Sequence, residues 1–313
     1  MDIREAYNSV KALLGEAGVE NAGFEAQVLL QHFAGASRFA QGSLAPDAWQ
    51  RVWQAAQKRA ARAPLQYIVG AWPFLGLEIM VGPGVLVPRS ETEEVCLYAA
   101  ALCGGAPRNS GQPDEPQGAC VQQNAAPKGP AAGQGLAILD LCAGSGALAL
   151  GLQSLLPAAR VAAVELHEDA FAWLGKNIAA FAAANPGAGA PRAVQADALT
   201  YYKELAARSL DLLISNPPYV TPAEYARLAP ELYHEPKEAL VPPAGEDGLL
   251  FYRGIARDYM GKLKPGGYLV FEIGAAQGPA VRDILVQNGY GDVEIHKDLA
   301  GLDRIAVGRA PAV

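Results

Sequence analysis

The stretch SNPPYV, Ser215 to Val220, places an asparagine and two prolines directly after the apolar run LDLLI. Proline donates no backbone N–H to a β-ladder, so this stretch ends a predicted buried strand. Asn216 supplies a side-chain carbonyl acceptor, and Pro217 supplies a backbone carbonyl beside it. Two acceptors can therefore converge on one planar NH2 group, while Tyr219 offers an aromatic face to a flat substrate. The pattern predicts a substrate with a conjugated nitrogen, either a carboxamide or an exocyclic amine.

A carboxamide nitrogen is a poor nucleophile because its lone pair is delocalised into the carbonyl. Hydrogen bonds from both of its N–H groups favour a pyramidal nitrogen, and each contributes about 1 to 3 kcal/mol. Placement of that nitrogen against an electrophilic carbon contributes more, on the order of 7 to 11 kcal/mol. We therefore expect geometry to supply most of the catalysis. No general base needs to be named, because the nitrogen becomes acidic once it is alkylated.

A second motif, DLCAGSGALAL from Asp140 to Leu150, places Gly144 and Gly146 between a predicted strand and a predicted helix. Small residues there allow a ligand to approach the backbone, and the helix N-terminus faces the same crevice. Read as G-x-G-x-x-A, the motif also matches a dinucleotide fingerprint, and Glu165 after the next strand would bond ribose hydroxyls in either case. The carboxylate of Asp140 favours S-adenosylmethionine, because it would attract the cationic methionine end and repel a pyrophosphate.

The chain is predicted to contain a small domain, a linker and a larger domain. Apolar residues at helical spacing predict a bundle of short helices over residues 1–63. Residues 64–90 are rich in β-forming and turn-forming residues and predict a β-hairpin linker, which a helix with Ser90 as its N-cap follows. Residues 104–134 are rich in Gly, Pro, Gln and Ala, and we expect a flexible insertion without chemistry.

The remainder of residues 91–313 alternates short apolar runs with helical patterns, which predicts a mostly parallel sheet covered by helices on both faces. Only LAGLD joins the last two strands. Because a parallel crossover needs about a dozen residues, the last strand is predicted to be antiparallel. The predicted fold class is therefore α/β, with a Rossmann-like catalytic sheet after the helical bundle and the hairpin.

Composition excludes several classes of protein. The 32 acidic residues outnumber the 25 basic ones, and a net charge of −7 argues against a broad grip on a nucleic-acid duplex. The four cysteines have no CxxC spacing and no histidine cluster nearby, so neither a metal site nor a disulfide framework is expected. The chain has no run of roughly 18 apolar residues and no signal-peptide pattern at its start, so we expect a soluble, cytoplasmic protein that works without a membrane.

Taken together, the motifs resemble those of the protein-(glutamine-N5) methyltransferases that modify peptide chain release factors. The resemblance covers nearly the whole chain except residues 104–134. It rests on seven motifs in order, which are PLQYIVG (64–70), LVPRSETE (86–93), DLCAGSG (140–146), SNPPYV (215–220), HEPKEAL (234–240), FEIGAAQG (271–278) and KDLAGLDR (297–304). It implies a class I S-adenosylmethionine-dependent methyltransferase sheet, with a helical domain and linker that help to dock the release factor.

The resemblance also implies roles for single residues. The residues expected to bind S-adenosylmethionine are Asp140, Cys142, Ala143, Gly144, Ser145, Gly146, Glu165, Asp197, Ala198 and Asn216. Those expected to be catalytic and to receive the glutamine of the release factor's GGQ loop are Asn216, Pro217, Pro218 and Tyr219. Arg89, Glu91 and Glu93 are expected to close the pocket from the linker side. Family members usually have a glycine at position 142 and an aspartate at position 165, and a monomer is the simplest expectation for such an enzyme.

Other functions remain open at this point. A DNA adenine-N6 methyltransferase also holds an exocyclic amine with an NPPY-type tetrapeptide, but it would need a sizeable basic region. A relative that methylates a glutamine of a large-subunit ribosomal protein shares the same chemistry, although EIGAAQG and KDLAGLDR favour the release-factor branch. A module that only binds the cofactor would have lost the acceptors at Asn216 and Pro217. A nicotinamide dehydrogenase would leave NPPY without a role.

Overall fold

The computed structural model describes residues 1–105, 135–187 and 189–312. Nearly all of the predicted insertion at residues 104–134 lies outside these ranges. The described residues form two compact units. The first unit comprises Met1–Trp72, Val81–Pro83 and Leu228–Glu235, and the second comprises Pro73–Met80, Gly84–Arg227 and Pro236–Val313.

The first unit is helical, with α1 at Ile3–Glu16, α2 at Ala22–Ala34, α3 at Pro46–Ala60 and α4 at Leu65–Val69. The side chain of Asp2 caps α1 by accepting from the backbone N–H of Arg4 at 2.9 Å. Proline at the first position of α3 removes an N–H that would have no partner within the helix. The buried core of this unit includes Val10, Leu14, Leu29, Leu30, Val52 and Ala56.

The segment predicted as a hairpin linker contains a helix as well as a hairpin. Leu65–Val69 forms α4, which ends at Gly70 in the left-handed conformation. The hairpin itself consists of β1 at Ala71–Phe74 and β2 at Leu77–Met80. Leu75 and Gly76 between them have φ of 49° and 77°, as a two-residue type I′ turn requires.

The helix α5, Ser90–Leu102, follows the hairpin as predicted, but its cap differs from the prediction. Ser90 is the first helical residue and its hydroxyl donates to Glu91 Oε2 at 3.0 Å. Arg89 occupies the N-cap position with an extended backbone and no side-chain capping bond. The prediction that Ser90 caps this helix was therefore wrong by one residue.

The second unit contains a seven-stranded sheet in the order β5-β4-β3-β6-β7-β9-β8. Its strands are β3 Ala137–Leu141, β4 Arg160–Glu165, β5 Arg192–Gln195, β6 Leu210–Ser215, β7 Leu263–Glu272, β8 Gly291–Lys297 and β9 Asp303–Arg309. The first five of these are parallel, and β9 pairs antiparallel with both β7 and β8. The predicted fold class is confirmed, including the antiparallel last strand.

Helices separate most of the strands of this sheet. They are α6 at Ala147–Leu155, α7 at Glu168–Ala184, the single turn α8 at Pro222–Tyr225, α9 at Leu250–Tyr259 and α10 at Gly278–Gln287. Large buried side chains fill the core beside the sheet, among them Leu213, Tyr252, Tyr259 and Phe271. Within the ranges that the structure describes, no helix is both long and apolar enough to cross a membrane.

The order of strands creates a crevice beside β3. From β3 the chain proceeds outward to β4 and β5, and it then returns to the other side of β3 with β6. Ligands of open α/β sheets bind at such a reversal, outside the carboxyl ends of the strands. The glycine motif follows β3 and the NPPY motif follows β6, so the fold brings both to the same edge.

Candidate active site

A cavity of about 260 Å³ lies at this edge, and its lining residues all belong to the second unit. Its walls come from the residues that follow β3, β4, β5 and β6, together with the segment before α5. The predicted site residues that line it are Arg89, Cys142, Ala143, Gly144, Ser145, Glu165, Asp197, Ala198, Asn216 and Pro218. The predicted residues outside the lining are Asp140, Gly146, Pro217, Tyr219, Glu91 and Glu93.

The glycine loop has positive φ angles at its glycines, a backbone conformation that glycine favours. Gly144 and Gly146 have φ of 55° and 86°, and Gly146 is the N-cap of α6. A Cβ on Gly146 would lie 2.6 Å from Leu174 Cδ1 of α7, so this glycine allows close packing of the helix instead of contacting the cavity. Cys142 also has a positive φ, of 59°, at the position where the related family usually has glycine. A side chain in this conformation costs about 1 to 2 kcal/mol.

Glu165, at the end of β4, is 6% exposed and holds the glycine loop. Its Oε2 accepts from the backbone N–H of Gly144 at 2.8 Å. Its Oε1 accepts from the backbone N–H groups of Leu166 and His167 at 2.8 and 2.9 Å. A carboxylate has about four acceptor positions, so this side chain can still accept from a ligand hydroxyl in the cavity.

Asp140 does not reach the cavity, which corrects the expectation that it faces the cofactor directly. The side chain is fully buried, and Oδ2 accepts from the backbone N–H of Ala149 in α6 at 3.1 Å. Oδ1 has no hydrogen-bond partner among the described residues. Burial, with the nearby Glu165, raises the pKa of Asp140 well above its usual range. Asp140 thus joins β3 to α6 beneath the glycine loop.

Among residues 1–105, 135–187 and 189–312, none donates a hydrogen bond to either of the two acceptors predicted in NPPY. Ser215 ends β6, and its hydroxyl donates to the carbonyl of Leu141 at 2.6 Å, which ties the motif to the end of β3. Asn216 lines the cavity, and its Nδ2 donates to Thr92 Oγ1 at 3.5 Å. Neither Asn216 Oδ1 nor the Pro217 carbonyl accepts a hydrogen bond from any described residue. The end of β6 therefore carries two adjacent free acceptors.

Tyr219 is partly buried and is not among the residues that line the cavity, so its aromatic face toward the substrate stays a prediction. Its carbonyl oxygen accepts from Gln277 Nε2 at 3.2 Å, and its ring lies near Gly274. Burial raises the pKa of its hydroxyl to about 12. Gly248, with φ of 70°, approaches so closely that a Cβ there would overlap the Tyr219 carbonyl oxygen. Tyr219 is fixed by this packing, and it in turn fixes the loop that carries Asn216.

Of the three residues predicted to close the pocket, only Arg89 lines the cavity. Glu93 Oε1 accepts from the backbone N–H of Leu75 at 2.8 Å, so Glu93 holds the hairpin turn. Glu91 Oε2 accepts from Ser90 at the start of α5. Glu91 and Glu93 do not line the cavity, and their role in closing the pocket stays a prediction.

Several residues of the lining were not identified from the sequence. They are Gly84, Leu86, Val87, Pro88, Thr92, Leu166, His167, Pro236, Glu238, Ala239, Val241, Pro243 and Phe251, among others. The motif HEPKEAL contains three of them and was a signal that the segment after NPPY returns to the site. Residues 86–92 flank the predicted linker boundary, and their approach to the cavity depends on tertiary packing.

The donor and acceptor groups of the cavity fit S-adenosylmethionine. Carboxylates at Glu165 and Asp197 suit ribose hydroxyls and a cationic ligand, and apolar groups such as Leu199 and Phe251 suit a flat ring. The Asp197 backbone turn is held by its own Oδ1, which accepts from the N–H of Leu199 at 2.8 Å. In residues 1–105, 135–187 and 189–312, no group of three or more His, Cys, Asp or Glu side chains is arranged to hold a metal ion.

Comparison with known proteins agrees with this arrangement. Residues 5–70 match the family described as PrmC N-terminal domain, and residues 129–250 match the methyltransferase small domain family. The chain is 37% identical over 302 residues to a release factor glutamine methyltransferase of Streptomyces coelicolor, covering 95% of this chain and 94% of that protein. It is 34% identical to the protein of that name from Moorella thermoacetica, covering 97% of each chain. It is 32% identical to the one from Geobacter sulfurreducens, covering 98% of this chain and 96% of that protein.

Proposed function

The chain belongs to the release factor glutamine methyltransferases, and on this basis we propose that it methylates N5 of the glutamine in the GGQ loop of a peptide chain release factor. The methyl donor is S-adenosylmethionine. One observation supports the assignment of the substrate group above all others. Asn216 Oδ1 and the Pro217 carbonyl are adjacent acceptors at the end of β6, and no described residue donates to either.

The cofactor is held by residues at the ends of the parallel strands. Glu165 would hold the ribose hydroxyls with the acceptor capacity that its three backbone hydrogen bonds leave. Asp197 and Ala198 would lie beside the adenine, and residues 142–145, which line the cavity, would form the wall under the methionine part. When bound, S-adenosylmethionine supplies a methyl group on a sulfonium centre, which makes that carbon electrophilic.

The protein's own contribution is to orient the substrate amide. Asn216 Oδ1 accepts from one N–H of the glutamine NH2 group, and the Pro217 carbonyl accepts from the other. Together they hold the nitrogen so that its lone pair turns out of conjugation with the carbonyl. Pro218 closes the wall beside Asn216, and Arg89 lies across the cavity at the start of α5. The catalytic effect comes from this positioning rather than from a general base.

Recognition of the rest of the release factor is assigned to the helical part of the chain, residues 1–63, with the hairpin segment 64–90. We propose that a monomer carries out the reaction, since one chain supplies every group named above. The net charge of −7 supports a protein substrate over a nucleic acid. A release factor works at the ribosome, so the proposed place of action is the cytoplasm.

Replacement of the asparagine tests the proposed role of the NPPY motif. In Asn216→Ala, loss of an acceptor should lower the rate of methyl transfer by about 10-fold to 100-fold, as expected for 1 to 3 kcal/mol. Transfer from radiolabelled donor to a release factor measures this rate, and calorimetry with S-adenosylmethionine should give an affinity close to that of the unmodified protein. Asn288→Ala, at the end of α10, is the matched control. Full turnover by Asn216→Ala would refute the mechanism.

A further inference from the structure

A buried chain of side chains runs from the NPPY motif away from the cavity. Asn216 Nδ2 donates to Thr92 Oγ1 at 3.5 Å, and the Thr92 hydroxyl donates to Glu272 Oε2 at 2.6 Å. Thr92 lies on α5 and is 5% exposed, and Glu272 ends β7 and is 2% exposed. The first of these contacts is long, as catalytic hydrogen bonds often are before a substrate binds.

The chemistry of the three groups determines which of them donates and which accepts in each of these two hydrogen bonds. An ionised carboxylate only accepts hydrogen bonds, so the single proton of the Thr92 hydroxyl must point to Glu272. Thr92 Oγ1 can then only accept from Asn216, so the NH2 end of the Asn216 amide must face Thr92. The carbonyl end of Asn216 is consequently left for another donor.

We propose that Thr92 and Glu272 are positioning residues that fix which end of the Asn216 amide faces the substrate. This inference rests on the proposed function, because the free end, Oδ1, is the acceptor for the glutamine NH2 group. An amide side chain has two ends of nearly equal size, and a flipped Asn216 would present its own NH2 to the substrate NH2. Two donors would then face each other, and the hydrogen bond would be lost.

The ionisation state of Glu272 determines whether Thr92 donates to Glu272 or to Asn216. Burial raises the pKa of this carboxyl to about 7, against the opposing effects of the Thr92 hydrogen bond and of Arg304. The other charged groups near it are Glu91, which raises the pKa further, and Arg89, which lowers it. A protonated Glu272 can donate to Thr92, which frees the Thr92 proton to point toward Asn216 and favours the flipped amide.

The remaining titratable neighbours of Glu272 are tyrosines. Tyr252 of α9 donates to the Glu272 backbone carbonyl at 3.0 Å, and Tyr219 lies within electrostatic range. Burial raises the pKa of Tyr219 to about 12 and that of Tyr252 well above its usual range. Both hydroxyls therefore stay neutral between pH 5 and pH 9, the interval in which Glu272 titrates, because the pKa of Tyr219 lies about three units above its upper end.

A pair of substitutions at Thr92 tests the relay. Thr92→Val keeps the shape and removes the hydroxyl, and kcat for a release factor should fall by about 10-fold, the effect of one hydrogen bond. Thr92→Ser keeps the hydroxyl, and its kcat should stay within about threefold of the unmodified enzyme. Both variants should bind S-adenosylmethionine, measured by calorimetry, as the unmodified protein does. Equal kcat for Thr92→Val and Thr92→Ser would overturn the proposal.

The pH profile supplies a second test that does not depend on Thr92. With ionised Glu272 required, kcat should rise with pH through an apparent pKa near 7. Glu272→Gln has no titratable group at this position, so this rise should disappear. A rise with pH that persists unchanged in Glu272→Gln would refute the relay. Failure of the unmodified enzyme to methylate the release factor would instead refute the proposed function.

Discussion

Glu165 Oε2 accepts a hydrogen bond from the backbone N–H of Gly144 at 2.8 Å, so the end of β4 holds the loop that follows β3. Two further backbone N–H groups bond to the other oxygen of the same carboxylate. One acidic side chain thus shapes the cavity wall and presents its remaining acceptor capacity to a ligand. The glutamate keeps this charge where the related family usually has the shorter aspartate.

Glu165→Gln should weaken S-adenosylmethionine binding. The amide has one acceptor oxygen in place of two, and hydrogen bonds to a charged acceptor contribute about 1.5 to 3 kcal/mol against about 1 for a neutral one. We expect a loss of affinity of about 10-fold, measured by calorimetry. Glu168→Gln, at the exposed first residue of α7, should bind as the unmodified protein does. Equal affinities for the two variants would show that Glu165 does not hold the cofactor.

Gly248→Ala should impair methyl transfer without a matching loss of cofactor affinity. A Cβ at this position would overlap the carbonyl oxygen of Tyr219, so the NPPY loop must move. Because misplaced reacting groups are costly, we expect kcat to fall by about 100-fold. Gly245→Ala is the matched control, since Gly245 also has a positive φ, of 88°, but its Cβ would meet only the Asp247 side chain at 3.6 Å. Similar kcat values for both variants would contradict this account of the loop.

Glu272 should make the free energy of unfolding fall as pH rises. Its pKa is raised to about 7 in the folded protein from 4.5, so the folded state binds more protons between these values. The contribution of Glu272 to the free energy of unfolding is largest below pH 4.5. It decreases between pH 4.5 and about pH 7, by at most about 3 kcal/mol. Urea unfolding at several pH values should show this slope in the unmodified protein and not in Glu272→Gln. Parallel curves for the two proteins would contradict the raised pKa.

Glu231 should stabilise the helical unit through two arginines. Its Oε1 lies 2.9 Å from Arg59 Nη1 and 2.7 Å from Arg62 Nη2, and the Arg59 side chain is 6% exposed. Glu231→Gln leaves Arg59 with only Glu25 as a charged partner, and we expect a loss of about 2 kcal/mol in urea unfolding.

The exposed pair of Arg51 and Asp47 is a control for this ion pair. Asp47→Asn should leave the free energy of unfolding close to that of the unmodified protein, because exposed pairs contribute little. Hydrogen bonds from Arg59 and Arg62 hold the pKa of Glu231 below its ordinary value, although burial opposes them. The stabilisation should thus be present above pH 4.5 and decrease as the pH falls below it. Equal effects of the two substitutions would argue against the buried ion pair.

The sequence was informative where one short segment determines the structure. The apolar runs AILDL and LDLLIS predicted the buried parallel strands β3 and β6, and the short LAGLD connection predicted the antiparallel end of the sheet. The glycine and NPPY motifs were placed correctly at the carboxyl ends of these strands. Such features follow from backbone geometry and composition, which are local properties.

Features that depend on distant residues were missed. Thr92 and Glu272 are 180 positions apart, and nothing near either residue indicates their hydrogen bond. Asp140 was expected to face a ligand, but it is fully buried and its carboxylate accepts from the backbone N–H of Ala149 in α6. The segment Leu65–Val69 contains β-forming residues but forms a helix. Pro64 at its start and Gly70 at its end set the bounds of this helix.

The most direct test of the central claim is mass spectrometry of a purified release factor after incubation with the enzyme and S-adenosylmethionine. We predict one added methyl group, located on the glutamine of the GGQ loop, which accumulates about 10-fold to 100-fold more slowly with Asn216→Ala. Methylation of a ribosomal-protein glutamine or of DNA adenine in parallel incubations, with the GGQ glutamine unmodified, would contradict the assignment.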